Sequence, residues 1–481
     1  TIREHENVEI DLAHLPPDDP AVYRMLNAAD TVGVFQLESR AQMATLPRHG
    51  PKRFYDIVVQ VAIIRPGPIV GGMIRPFFDR HRGIAPVEYP HPCLEPILKR
   101  TLGVPLFQEQ LLRIAMTAAG FTGGEAEELR RAMGFKRSVE RMGAIEARLR
   151  KGMEERGIDA DARDRIVKAI TSFALYGFPE SHAASFALIA YASAYLRAHH
   201  PAAFATALLN AWPMGFYHPA TLVQDAQRHG TAVLPIDVAR SGWKCRWEAG
   251  GVRLGLRFVK GLHEATGLRI EAEQGKAPFP SLEEFERRTA PRAGELDRLA
   301  DAGALAGFGL TRREAQWQAA RVARPAGPLF EALPGPAGSP LPEMRADEET
   351  TADYRATEMT TGPHLVAHIR ARLDAFSVAT TRELRALPDG ARVRAAGAVI
   401  VRQRPGTAKG FVFLTLEDET GMAQAIVRPD LFREQRSLIV GSPGLVVEGV
   451  LQKSDGTLSV KAEKFWSLGE FRAAVPSHDF H

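Results

Sequence analysis

The chain has 481 residues, of which 45% are hydrophobic and 25% are charged, which is typical of a soluble globular protein with several domains. Lysines and arginines (61) outnumber aspartates and glutamates (57) by only four, so any surface that binds nucleic acid must be a local cluster of cations. The two cysteines are too far apart to suggest a zinc site or a disulfide framework. In the absence of a long apolar run or a signal peptide, we expect a cytoplasmic protein with no membrane contact.

Residues 1–30 have the pattern of a connector that ends in a short helix, Pro20 to Asn27. Because the chain begins at Thr1 in charged sequence, without a methionine, we expect it to be a fragment of a longer protein. Residues 31–225 are predicted to be mainly helical, since apolar residues recur there at i, i+3 and i+4. The run Arg65-Pro-Gly-Pro68 predicts a turn between two of these helices, and Arg65 is a candidate contact for a nucleotide or a template.

A cluster of cations follows the middle of this region. Arg130 and Arg131 lie near the predicted end of a helix, Gly134 is placed just past that end, and Lys136 and Arg137 come next. Such cations either complement the negative end of their own helix or bind a phosphate. Spacing alone leaves both alternatives open.

Asp159 and Asp161 form the most suggestive pair of carboxylates in the chain. They follow Gly157 and open a predicted helix, so helix capping explains them better than metal binding. The sequence therefore predicts no catalytic residue and no metal-ligating set in this chain.

A second segment suited to phosphate begins after Gly177 and Pro179, which interrupt whatever precedes them. Ser181 is the predicted N-cap of a helix that ends at His199 or His200. Its first turn holds His182 and Ser185 and no acid after Glu180, so its free N–H groups would suit an external anion. The alternatives are that Ser181 is an ordinary cap and that His182 is a hydrogen-bonded surface residue. We expect Phe186, Ile189, Ala190 and Leu196 to anchor the helix to a core.

Residues 226–320 change to short strands, Trp243 to Trp247 and Val252 to Leu256, followed by a pattern that resembles a helix-hairpin-helix. In such a hairpin the loop, here at Lys260 and Gly261, presents backbone N–H groups to a DNA phosphate. His263 stands where a second glycine is usual, and this weakens the assignment because histidine resists a positive φ.

Prolines and glycines dominate the start of residues 321–390, which we predict to be an extended, mobile linker and tether. Residues 391–470 contain five strand-like segments with a short helix between the third and fourth, the pattern of an OB-fold β-barrel, and residues 471–481 form a tail. OB-folds bind single strands through aromatic residues and cations. The candidates are Arg402, Arg404, Lys409, Phe411 and Phe413, with at least one of the two phenylalanines expected in the barrel core.

Five motifs stand in the order seen in one family: Phe35-Gln-Leu-Glu-Ser-Arg40, Arg65-Pro-Gly-Pro68, Phe107-Gln-Glu-Gln110, Leu129-Arg-Arg-Ala-Met-Gly134 and Tyr176-Gly-Phe-Pro-Glu-Ser-His182. Together they resemble the fingers of bacterial C-family DNA polymerases, the DNA polymerase III alpha subunits. The Phe-Lys after Gly134, the Ile63-Ile-Arg-Pro-Gly-Pro68 run and the ending Ser477-His-Asp-Phe-His481 resemble the error-prone, translesion type. The resemblance implies a multidomain α+β protein with helical fingers, a helix-hairpin-helix domain and an OB-fold.

The resemblance also implies roles for individual residues. The incoming deoxynucleoside triphosphate would be held by Arg65, Arg130, Arg131, Lys136, Ser181, His182 and Ser185. In the family, Mg²⁺ is held by paired aspartates of a palm domain upstream of these motifs, so this chain alone is expected to be inactive. The alternative function is a non-catalytic nucleic-acid-binding scaffold, which would not need the cations at 129–136.

The expected partners are primer-template DNA, deoxynucleoside triphosphates, an accessory translesion protein and, through it, the sliding clamp. Replicative relatives carry a clamp-binding peptide built on glutamine and an aromatic residue. Here Gly327-Pro-Leu-Phe330 lacks the glutamine, so we expect no direct grip on the clamp. The tail from Arg472 to His481 is the candidate surface for the accessory protein.

Overall fold

The computed structural model describes residues 2–65, 68–69, 72–134, 139–173, 178–248, 251–322, 339–454, 456–469 and 478–480. The chain divides into two compact units. We call Ile10–Ala198 with Asp455–Thr457 the helical unit, and Thr1–Glu9, His199–Ser454 and Leu458–His481 the mixed unit. No helix among the residues described here is long and apolar enough to cross a bilayer.

The helical unit confirms the helical prediction for most of its length. Its helices are Pro20–Asn27, Arg40–His49, Phe54–Ile63, Ile74–His81, Glu95–Leu98, Gln108–Ala119, Gly123–Gly134, Val139–Glu155, Ala160–Phe173 and Glu180–His199. One core joins them, and it includes Phe78, Phe107, Leu111, Leu149 and Ile170. Asp159 accepts a hydrogen bond from the Ala162 N–H at 2.9 Å, which confirms its interpretation as a helix cap.

The helix Glu180–His199 begins two residues earlier than predicted, so Ser181 lies in the first turn and is not the N-cap. The carboxylate of Glu109 accepts the Glu180 N–H at 3.0 Å, which is a cap supplied by a different helix. The predicted buried face is also wrong at Ile189, which is 51% exposed. Ala183, Ala187, Ala190 and Ala194 are buried instead, because small side chains let the helix pack closely against its neighbours.

The mixed unit combines helices with two sheets. Its helices are Ile2–Glu6, Pro201–Ala211, Pro219–Arg228, Glu264–Lys276, Leu282–Thr289, Glu295–Asp301, Arg312–Val322, Ala346–Thr357, Arg370–Ala375, Thr381–Ala386, Pro429–Glu434 and Arg436–Gly441. In the small sheet, β3 (Gly251–Arg253) pairs parallel with β1 (Ala232–Leu234) and antiparallel with β2 (Arg246–Glu248). The two strands predicted after residue 226 are therefore present, but each is shorter than predicted and overlaps its predicted range by two residues.

The second sheet is a closed barrel. Its strands are β5 (Arg392–Gln403), β6 (Val412–Asp418), β7 (Gly421–Val427), β8 (Gly444–Ser454) and β9 (Thr457–Ser467). β5 pairs antiparallel with β6 and with β8, β6 pairs antiparallel with β7, β7 pairs parallel with β9, and β9 neighbours β8. This closure and the two short helices between β7 and β8 confirm the predicted OB-fold.

Two further strands pair with β5. They are β4 (Val378–Ala379) and β10 (His478–Phe480), and both run parallel to it. Part of the predicted tail is therefore an edge strand of the barrel sheet.

The predicted linker is folded from the helix Ala346–Thr357 onward, which corrects the expectation of an extended tether up to residue 390. Tyr354 of the helix Ala346–Thr357 is buried. Arg312 donates to Asp353 at 2.5 Å, and Arg313 pairs with Glu348 at 3.3 Å, so the helix is fastened to the one before it. The dense run of prolines ends at Pro342, and the residues after it can build a core. The segment Gly327–Phe330 lies outside the described residues.

Candidate nucleotide and nucleic-acid sites

Four aromatic rings meet at the start of the helix Glu180–His199. Phe178 lies just before the helix, and His182 and Phe186 are one turn apart on the same face. Ring centroids are 5.5 Å apart for Phe178 and His182, 4.5 Å for His182 and Phe186, and 5.4 Å for Phe186 and Phe35. We call Phe35, Phe178, His182 and Phe186 the aromatic cluster.

Arg65 packs on this cluster. Its guanidinium carbon is 4.1 Å from the centroid of the Phe178 ring, and its Nε donates to the Val61 carbonyl at 3.4 Å. Burial lowers the pKa of Arg65, and its Nη2 is buried with no hydrogen-bond partner among the described residues. Two predicted nucleotide-binding residues, Arg65 and His182, therefore contact the same ring, that of Phe178. The buried Nη2 group of Arg65 is a hydrogen-bond donor that needs an acceptor.

The start of the helix is not free of acid. The Glu180 carboxylate accepts the Tyr55 hydroxyl at 2.9 Å and lies 3.3 Å from an Arg100 nitrogen. Ser185 donates its hydroxyl to the Ser181 carbonyl at 3.0 Å, a bond within the helix. The predicted anion site at the helix N-terminus is therefore partly satisfied by the protein itself.

Arg130 and Arg131 are exposed and share one carboxylate. Arg130 donates to both oxygens of Glu127, at 2.6 and 2.8 Å, and Arg131 Nε is 3.5 Å from the same side chain. The Arg130 hydrogen bond lowers the pKa of Glu127 to about 2. Lys136 lies outside the described residues. That these cations share a cleft with His182 stays a prediction.

In the helix-hairpin-helix loop, polar groups that were predicted to contact DNA are bonded within the protein. Gly261 has φ +74°, a backbone conformation that favours glycine because other residues are strained there. The Lys260 N–H donates to the Ala356 carbonyl at 2.9 Å, and Lys260 Nζ lies 2.9 Å from a carboxylate oxygen of Glu358. This corrects the prediction, because that N–H cannot also meet a phosphate.

His263 imposes no strain on the hairpin. Its φ is −78°, so the resistance of histidine to a positive φ does not count against the hairpin. Its N–H donates to the buried Glu295 carboxylate at 2.9 Å, and Glu295 also accepts the Thr266 hydroxyl at 2.8 Å. An internal carboxylate thus occupies the start of the helix Glu264–Lys276.

In the OB-fold, Arg402 is used inside the fold. It donates to the carbonyl of Ile439 at 3.0 Å and to that of Ser442 at 2.6 Å, which ties the end of the helix Arg436–Gly441 to β5. The structure therefore gives Arg402 a structural role where a DNA contact was predicted.

Arg404, Lys409 and Phe411 lie in the loop between β5 and β6, where OB-folds bind nucleic acid, and Phe413 lies in β6. Arg404 and Lys409 are exposed, and Arg404 lies 5.5 Å from the Phe432 ring centroid. Phe411 and Phe413 are both half-buried. The expectation that one of them fills the barrel is wrong, because the alternate residues Val412, Leu414 and Leu416 do so.

Sequence reasoning missed an outward-facing group on β9. Trp466 is 36% exposed, with Lys464 Nζ 5.0 Å and the Arg394 guanidinium 5.9 Å from its ring centroid. A ring flanked by two cations is typical of single-strand binding surfaces. The alternation Lys464-x-Trp466 is the signal, and it was missed because the predicted strand ended at Ala462.

Three family models match the chain. A bacterial DNA polymerase III alpha subunit finger domain matches residues 1–157, a helix-hairpin-helix motif matches 230–315, and an OB-fold nucleic acid binding domain matches 383–468. Among solved structures, an asparaginyl-tRNA synthetase from Pyrococcus horikoshii is 27% identical. The match covers 19% of this chain and 23% of the synthetase chain, with a TM-score of 0.16.

Curated relatives match nearly the whole chain. The error-prone DNA polymerase of Anaeromyxobacter dehalogenans is 48% identical over 97% of this chain and 42% of its own length. Those of Pseudomonas aeruginosa and Methylococcus capsulatus are 47% and 45% identical over 98% of this chain and 47% of their own lengths. The chain thus spans less than half the length of these relatives. With the helical unit, the helix-hairpin-helix and the closed barrel, these matches show that the chain belongs to the bacterial C-family DNA polymerases, as the C-terminal portion of the error-prone type.

Proposed function

We propose that this chain is the nucleotide- and DNA-binding portion of an error-prone DNA polymerase, which extends primers by nucleotidyl transfer during translesion synthesis. The observation that carries the proposal is the 45–48% identity, over nearly the whole chain, to proteins named error-prone DNA polymerase. The nucleic-acid-binding domain matches and the Arg65 site support it.

Arg65 and His182 contact the triphosphate in this proposal, and Arg130, Arg131 and Lys136 approach it from the neighbouring segment. Cations there neutralise the charge that develops on phosphate oxygens during transfer. For Arg130 and Arg131 this requires that Glu127 give up its ion pairs. Mg²⁺ would be held by carboxylates outside this chain and would supply the activation of the attacking hydroxyl.

DNA is bound by the OB-fold through Arg404, Lys409, Phe411 and Trp466. Aromatic stacking and phosphate contacts of this kind are independent of sequence. A polymerase held only by such contacts dissociates easily at physiological salt. We therefore propose that an accessory protein links the polymerase to the sliding clamp, because Gly327-Pro-Leu-Phe330 lacks the glutamine anchor.

The recruitment proposal is tested by pull-down of a purified sliding clamp with this chain. Binding by the chain alone that is lost in Phe330→Ala contradicts it. Binding that appears only when a cognate accessory protein is added supports it.

The alternative, a non-catalytic scaffold, is favoured by one observation: the cations at 130 and 131 are already paired with Glu127. Titration of a fluorescent deoxynucleoside triphosphate with Mg²⁺ separates the two functions, since a scaffold binds DNA but not the triphosphate. A primer-extension assay on the purified chain tests the companion proposal that the catalytic carboxylates lie elsewhere. Extension that survives repurification would show that this chain holds them.

A further inference from the structure

Three side chains with metal-ligand chemistry meet in the helical unit, away from the aromatic cluster. They are His49, Asp56 and His81, and their ligand atoms all lie within 4.8 Å of one another. His49 is the last residue of the helix Arg40–His49, Asp56 is in the first turn of Phe54–Ile63, and His81 is the last residue of Ile74–His81. The sequence shows no local motif for this set, because three separate helices supply it.

The hydrogen-bond network fixes the tautomer of His49. Gln42 Nε2 donates to the Gln60 backbone carbonyl at 3.3 Å, so Gln42 Oε1 is left to accept from Gln60 Nε2, at 2.7 Å. Gln60 Nε2 also lies 2.8 Å from the Thr45 hydroxyl. Gln60 Oε1 must therefore accept from His49 Nδ1, 2.8 Å away, which places the ring proton on Nδ1.

His49 Nε2 then carries a bare lone pair. The residue is 1% exposed, and Nε2 has no hydrogen-bond partner within the described ranges. A buried, unprotonated imidazole nitrogen whose other nitrogen donates to an amide oxygen is the arrangement of a metal-ligating histidine.

Asp56 is held with one oxygen toward the histidines. Its Oδ2 accepts the N–H groups of Lys52 at 2.9 Å and Arg53 at 3.2 Å. Its Oδ1 lies 3.6 Å from His81 Nε2, too long for a good hydrogen bond but close to the ligand separation of about 3.3 Å around a tetrahedral ion with bonds of about 2.0 Å. Arg53 Nε is 3.4 Å from the same oxygen, and this side chain is exposed enough to move away.

We propose that His49 Nε2, His81 Nε2 and Asp56 Oδ1 bind one divalent transition-metal ion, with zinc the best match to two imidazoles and a carboxylate. Gln60 is a positioning residue that orients His49. The ion joins the start of the helix Phe54–Ile63 to the ends of the helices Arg40–His49 and Ile74–His81. It is a structural site, and it does not depend on the proposed function.

A metal-free arrangement is the competing explanation. In it, His81 pairs with Asp56, and His49 Nε2 accepts a hydrogen bond from a buried water. This explanation predicts no stoichiometric metal uptake.

The test is titration of the purified, tag-free chain with Co²⁺, followed by visible absorption, and with Zn²⁺, followed by calorimetry. We expect one site per chain, lost by about 100-fold or more in affinity in His49→Gln and in His81→Gln, and weakened about 10- to 100-fold in Gln60→Leu. The matched control is His14→Gln, which removes an exposed histidine that pairs with Asp11 at 2.6 Å.

Uptake that is absent from the unaltered chain, or that survives in His81→Gln, overturns the proposal. His81 is partly exposed, so this variant keeps the test valid should His49→Gln fail to fold. Zinc-edge absorption spectroscopy that finds fewer than two imidazole ligands would also overturn it.

Discussion

Arg65, Arg130 and Arg131 were all predicted to bind the triphosphate, yet they differ in burial and in ion pairing. Arg65 is half-buried on the Phe178 ring, with a buried N–H group that no described residue accepts. Arg130 and Arg131 stand in solvent and share Glu127. A cation that the fold has buried without an acceptor is prepared for a ligand, whereas an exposed cation beside an acid one turn away is already neutralised.

The largest effect is expected from Arg65→Ala. An arginine–phosphate hydrogen bond contributes about 1.5–3 kcal/mol, so triphosphate affinity of this chain should fall by about 10- to 100-fold. Arg113, exposed on the helix Gln108–Ala119, supplies the control Arg113→Ala, for which we expect no change. Fluorescent-nucleotide titration measures the affinity of both variants. Equal losses of affinity in the two variants would show that Arg65 has no specific role in binding.

At Glu417, burial and ion pairing act on the pKa in opposite directions, because the side chain is buried and lies 2.9 Å from Arg228. Burial raises the pKa of Glu417 to about 7, although Arg228 opposes the shift. The folded protein therefore holds a proton that the unfolded chain releases above its ordinary pKa of about 4.3. Consequently, this group makes the free energy of unfolding fall as pH rises from about 4.5 through about 7.

In Glu417→Gln that pH dependence should flatten, by about 1–3 kcal/mol across this window. Melting temperatures measured from about pH 5 to about pH 8 test it, with Glu463→Gln, an exposed partner of Arg392, as control. Parallel pH profiles for Glu417→Gln and the unaltered chain would show that pairing outweighs burial.

Trp466 contacts cations through its ring, as Phe178 contacts Arg65, but the Trp466 ring is exposed. Trp466→Ala should weaken single-stranded DNA binding by about 3- to 10-fold, at the lower end of stacking energies, and leave triphosphate affinity unchanged. Val440→Ala, exposed on the same OB-fold, is the control, and fluorescence anisotropy is the measurement. A matching loss in the control would assign the effect to the general surface.

The smallest effect is expected from Glu127→Gln, which frees Arg130 and Arg131. Solvent screens exposed ion pairs, so stability should barely change and triphosphate affinity should rise a few-fold at most. Glu128→Gln, on the next residue of the same helix, is the control. A fall in affinity would mean that Glu127 orients the arginines for the ligand.

Much of the fold could be predicted from the sequence because it depends on local patterns. Apolar periodicity indicated the helices, and alternation with a helix after the third strand indicated the barrel. Contacts between distant segments could not be predicted: the Glu109 cap on Glu180, the Ala356 carbonyl on Lys260, and the docking of Tyr354. For the candidate site, spacing showed which residues are cationic but not which acids already neutralise them.

The proposed polymerase function depends most on a triphosphate site at the aromatic cluster. Photo-crosslinking of an azido-deoxynucleotide to the purified chain, followed by mass spectrometry of the peptides, tests this directly. We predict crosslinks within residues 178–186, suppressed by unlabelled deoxynucleotide and reduced in Arg65→Ala. Crosslinks confined to the OB-fold, or crosslinks at 178–186 that unlabelled deoxynucleotide does not suppress, would contradict the account.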